Sequence, residues 1–254
     1  TRVGGAGAED GVLVPAAMVA ATIGNAALGE GARAPGTRSK MVAMLRAELL
    51  RAQDYAAKQA LAEDKRPARD LHLEAWARVI KREIPLLVTA HRAVDIASAL
   101  RLAREFNFRL VLDGASEAYL LIDQIKAANV PVIVHPTMFR NTGEAENLSM
   151  ETAARLRRAG VTVALQSSYE SYVPKTRVVL FEAALAAANG LSFEEALATV
   201  TIDAARILGV EARVGSLAAG KDADLALYDG DPFEYTSHAV GVVIDGQVVS
   251  ESVR

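Results

Sequence analysis

The run Leu86-Leu87-Val88-Thr89-Ala90-His91-Arg92-Ala93-Val94-Asp95-Ile96 decides the architecture. An apolar, strand-like segment from Leu86 to Ala90 ends in a polar His-Arg pair, and the pattern turns helical from Val94 to Glu105. The same change of rhythm recurs downstream. Strands read at Arg109 to Leu112, Val132 to Val134 and Thr162 to Leu165, with helices at Glu117 to Ala128 and Glu151 to Ala159 between them. Short apolar strands alternating with helices are the sequence sign of a parallel sheet built from βαβ units.

Outward from this block the pattern simplifies. Lys175 to Ala188, Phe193 to Val200 and Thr201 to Leu208 read as helices, and Gly215 to Val253 as three short strands around Leu225, Val243 and Val248, with a turn at Asp245-Gly246. Upstream, Ser39 to Leu61 and Arg69 to Arg82 are amphipathic helices, carried by Met41, Leu45, Leu49 and Ala52 and by Leu73, Trp76 and Ile80. Residues 1 to 37, rich in Gly and Ala with scattered Pro, read as a long loop excursion. The expected fold is α/β: the second half of a TIM-like (β/α)8 barrel in residues 1–212 and a small composite β-sandwich segment in 213–254. Four βα units cannot close a barrel of eight strands, and an open parallel half leaves backbone unpaired at its edges. The chain therefore needs a complement, either an N-terminal portion or a second polypeptide. That the sequence opens on Thr1 rather than Met fits a start that was cut away.

Composition excludes several classes. With 254 residues and 51% of them hydrophobic, the chain can bury a large core. A net charge of -3, with basic residues interleaved with acids, argues against a nucleic-acid partner. No apolar run is long enough to span a bilayer, no signal peptide is visible, and without cysteine there is neither a disulfide nor a thiolate site. The expectation is a cytoplasmic protein without membrane or nucleic-acid partners.

The tail Val214-Gly215-Ser216-Leu217-Ala218-Ala219-Gly220-Lys221-Asp222-Ala223-Asp224-Leu225 resembles a signature of the amidohydrolase superfamily, at the point where the chain leaves the barrel. Asp229-Gly230-Asp231-Pro232-Phe233 and Val243-Ile244-Asp245-Gly246-Gln247-Val248-Val249 continue the likeness. Ala90-His91-Arg92-Ala93-Val94-Asp95-Ile96 and Val111-Leu112-Asp113-Gly114-Ala115-Ser116-Glu117-Ala118 resemble the ends of strands five and six in the imidazolonepropionase-like branch. The resemblance implies hydrolysis of C–N bonds in amides or cyclic amides. It also implies a divalent ion such as Zn2+, held by a His-x-His pair, a His on each of strands five and six and an Asp on strand eight, which lowers the pKa of a bound water toward about 7.

Against that pattern the sequence is depleted. There is no His-x-His, Gly114 stands at the strand-six histidine, and Gln166-Ser167-Ser168-Tyr169 replaces the segment that holds the aspartate, with Ser168 in its place. A serine hydroxyl is a weak ligand and a poor base. Of the family's ligands His91 survives; Asp113 and His135 are the further metal candidates at neighbouring strand ends. The plainer reading of His91 is a histidine hydrogen-bonded in a relic pocket, with Asp95 as partner. No confident catalytic residue emerges: Ser167 and Ser168 lack a G-x-S-x-G elbow, and Thr1 as an N-terminal nucleophile is less economical than truncation. The expected function is a noncatalytic structural or regulatory subunit, paired with an active homologue or a complementary chain. The alternative is a metal-dependent hydrolase whose site another segment completes. A small-molecule ligand at a polar mouth lined by Arg92, Asp113, Gln166, Ser168 and Tyr169 is a third reading.

Overall fold

The computed structural model describes residues 9, 11–29, 31, 34–135, 142–167, 175 and 178–251, and these form two compact units. The first comprises Ala16–Val134 and Arg140–Val161. It opens with strand β1 (Val19–Thr22), followed by helices α1 (Arg38–Gln59) and α2 (Leu71–Ile80). Three βα units then follow: β2 (Leu86–Ala90) with α3 (Ala93–Phe106), β3 (Leu110–Gly114) with α4 (Ile122–Ala127), and β4 (Val132–Val134) with α5 (Thr152–Arg158). The strands lie side by side in chain order and are parallel, with Val19 opposite Leu86, Leu86 opposite Leu110 and Leu112 opposite Val132.

β1 corrects the reading of residues 1 to 37 as loop. Two alanines at its centre, Ala20 and Ala21, carry little strand propensity. Its conformation comes from pairing: four residues lie in register against β2, and Ile23 beyond it is fully buried. The expected helix from Glu117 to Ala128 is also shorter, because a 3-10 turn at Ala118–Leu120 precedes α4.

Local sequence explains how the helices begin and end. Thr37 caps α1 by accepting from the Lys40 N–H, Asp70 caps α2 by accepting from His72 and Leu73, and α3 stops where Asn107 turns left-handed (φ 54°). The core of this unit is aliphatic: Leu49, Val79, Leu86, Val88, Ile96, Leu102, Leu112, Ile125 and Val132 are at most 1% exposed. Each such side chain contributes about 1.5–3 kcal/mol by leaving water.

The second unit contains Thr162–Arg254. It holds β5 (Val163–Leu165), buried throughout, against which α6 (Val179–Ala188), α7 (Phe193–Val200) and α8 (Ile202–Leu208) pack. Ala183, Ala186, Ala196 and Ala205 let these elements approach closely. The expected strands after residue 213 form an antiparallel sheet in the order β6 (Leu225–Tyr228), β7 (Ala239–Ile244), β8 (Gln247–Glu251).

Candidate functional site at the strand ends

His91 is the first residue after β2. Its Nδ1 lies 2.8 Å from the Oγ of Ser116, which is wholly buried. The carbonyls of Ala90 and His91 accept from the N–H groups of Ala115 and Glu117, both at 2.9 Å, so the chain beyond β3 follows the chain beyond β2 past the formal strand ends. This alignment brings the imidazole over Gly114. A Cβ at Gly114 would stand 2.7 Å from Cε1 of His91, 3.1 Å from Nε2 and 3.2 Å from Nδ1. Gly114 also has φ +76°, a conformation that disfavours any side chain.

The expected pairing of His91 with Asp95 does not occur in this geometry. Asp95 instead receives Arg38 from α1, with Nε at 3.1 and 3.2 Å from the two carboxylate oxygens. The i,i+4 spacing suggested a local partner, but the buried carboxylate is reached by a residue 57 positions away. Burial pushes the Asp95 carboxyl above its ordinary range, and Arg38 offsets this only in part.

Asp113 faces Thr89 across the β2–β3 register and accepts the Thr89 hydroxyl at 2.6 Å. Arg92 joins two carboxylates, Glu117 at 3.3 Å and Glu146 at 2.5 Å. Glu117, which the sequence reading passed over, is the hub of the region. One oxygen accepts the Ala93 N–H at the start of α3 (2.7 Å) and the other the Asn147 amide (2.7 Å). Burial alone would raise the Glu117 carboxyl, but these two donors and Arg92 together hold it below the usual carboxylate range. Its signal in the sequence was slight: an acid a few residues past a strand end, with nothing local to mark its partners.

His135 follows β4 directly and is completely buried, in the second unit. Gln166 follows β5, and Ser167 beside it is 9% exposed. Ser168, Tyr169 and Thr1 lie outside the described residues. Among the described residues no three His, Asp or Glu side chains are grouped so as to hold a metal ion. The described residues of this chain thus do not by themselves assemble the ligand set that the resemblance implies. Where a second imidazole would project from β3, Gly114 offers only backbone and the His91 ring fills the space.

The profile of the Amidohydrolase family matches residues 118–250. The chain belongs to this family. The amidohydrolase tasK of Hapsidospora irregularis is 26% identical over 182 residues, 70% of this chain and 18% of that protein. An imidazolonepropionase of Symbiobacterium thermophilum is 36% identical over 104 residues, 41% of this chain and 24% of the enzyme. Among solved structures, an amidohydrolase from Thermotoga maritima MSB8 superposes with a TM-score of 0.89 at 34% identity, over 96% of this chain and 65% of that one. An adenosine deaminase from Xanthomonas campestris with bound zinc shares the fold at 19% identity and a TM-score of 0.56, over 92% of this chain. The amidohydrolase chain thus spans a fraction of its relatives' length. Its fold is α/β, part of a TIM-like barrel with a small antiparallel sheet, as expected. Among the described residues no helix is long and apolar enough to cross a membrane.

Proposed function

We propose that this chain is a noncatalytic amidohydrolase homologue, a structural or regulatory subunit in the cytoplasm that pairs with a complementary barrel half or a homologous active subunit. The observation that carries the reading is the imidazole of His91 seated over Gly114 and bonded to buried Ser116. The ring occupies the space that a side chain on β3 would need. The replacement of the aspartate segment by Gln166-Ser167-Ser168 supports the same reading. So does β1, which stands at the end of the strand order and among the described residues pairs with β2 alone, an edge that a further strand could extend.

Native mass spectrometry joined to elemental analysis for zinc, iron and manganese tests it on one sample. The expected result is a complex in which a partner or a further barrel segment is present and no metal copurifies with the barrel that contains His91. A stoichiometric metal in that barrel overturns the proposal and favours a C–N hydrolase whose site other residues complete.

A further inference from the structure

Three neighbouring strand ends are gripped by one short segment that the sequence reading did not single out. Residues Gly143–Ala145 form a 3-10 turn, and Glu146 and Asn147 follow it. Glu144 reaches the chain beyond β1: one carboxylate oxygen accepts the Asn25 N–H at 2.8 Å, and the other pairs with Arg38 at 2.5 Å. Glu146 pairs with Arg92, just beyond β2. Asn147 donates its amide to Glu117, beyond β3, and its carbonyl accepts the Tyr119 hydroxyl at 3.1 Å. Successive residues of the segment therefore meet successive strands, so it runs transverse to them along their C-terminal ends.

From this order of contacts we infer that Gly143–Asn147 is a strap that closes the C-terminal ends of β1, β2 and β3 as one cooperative unit, held mainly by charge. Its apolar hold is small, since Ala145 is its one buried residue. Gly24 is fitted to the strap: a Cβ there would stand 2.6 Å from the Glu144 carboxylate. The charges are arranged so that release strands none of them. Arg38 keeps Asp95 and Arg92 keeps Glu117 when the strap lifts, and both retained acids are buried. Removing a buried charge's last partner is what makes ion pairs hard to break, and here each arginine has a second acid. Strand ends of this kind carry the ligand sites of (β/α)8 proteins, so the strap sets whether that end of the first unit is open.

The Asn25 amide reports closure from the far end, because its acceptor is Glu144. Hydrogen exchange by NMR on the full chain carrying Glu146→Ala and Asn147→Ala removes the two near anchors and leaves Glu144 in place. Cooperative release predicts exchange at Asn25 faster by about fivefold or more, the effect of losing a modest contribution, while amides in the β2 and β3 ladder keep their rates. An unchanged Asn25 rate beside faster exchange at the amides of positions 145 and 146 overturns the strap, since its anchors would then act singly. If the ladder amides also accelerate, the wild-type protein gives the answer. Raising salt from about 0.1 to about 1 M shortens the screening length from roughly 10 to 3 Å and should speed Asn25, Ala145 and Glu146 together. A salt-independent Asn25 rate overturns the inference.

Discussion

Gly114 lies directly under the His91 ring, and that geometry has a definite energetic cost for any side chain placed there. A methyl group there meets the His91 ring at 2.7 Å and must adopt φ +76°. Gly114→Ala should therefore cost about 2–4 kcal/mol, combining left-handed strain with overpacking. Urea denaturation measures it, and Ser116→Ala in the same chain should recover part of the loss by freeing the ring to turn away. A cost under about 0.5 kcal/mol, typical of a neutral surface change, would mean that the ring is not held in place. Some of this was legible in the sequence. That a glycine follows Asp113 at the end of β3 could be read directly, whereas Ser116 as the partner of His91 could not, because the pairing depends on β2 and β3 lying in register. Asp95 misled for the matching reason: its helical spacing from His91 is real, but burial and Arg38 decide where its carboxylate goes.

At the scale of elements, local rules and long-range pairing divide the fold between them. The run Ser192-Phe193-Glu194-Glu195 contains its own helix start: the Ser192 hydroxyl accepts the Glu195 N–H, and Glu195 accepts the Ser192 N–H in return. Ser192→Ala should lower stability by about 1 kcal/mol, read as a shift in the denaturation midpoint without a change of slope. A change of slope instead would mean that the substitution altered more than the cap. Helix α7 was accordingly found at its true bounds from sequence alone. α3 differs, because its first N–H is bound by Glu117, 24 residues away, and no hydrogen-bonded side-chain cap comes from its own Arg92. β1 is the extreme case: Val19-Ala20-Ala21-Thr22 is a strand because β2 lies beside it, and a window confined to those residues cannot show this.

For the molecule as a whole, the two carboxyls with perturbed acidity near the strand ends respond to pH with opposite signs. Glu117 lies below its ordinary value when folded, so its contribution is complete above about 4.3 and is lost as pH falls through the depressed value. Asp95 lies above its ordinary value, so its ionised form is penalised at neutral pH, and the penalty is relieved on acidification through the raised value. Glu117→Gln should therefore flatten the acid side of the stability profile below about pH 4.3. If the variant loses stability on acidification as steeply as the wild type, other acids control that limb. The alternation of strands and helices and the change to an antiparallel sheet after residue 213 were both written in the sequence. The tether of Glu144, Glu146 and Asn147 was not, since nothing in their spacing names Asn25, Arg92 or Glu117.

The occupied space above Gly114 also bears on redesign of the site. A side chain introduced on β3 at this position meets the His91 ring first, so a substitution at Gly114 alone cannot reach into the space beyond it. One strand end borrows its filling from the next, and a redesign of either position has to treat glycine and histidine as a single volume shared by two strands.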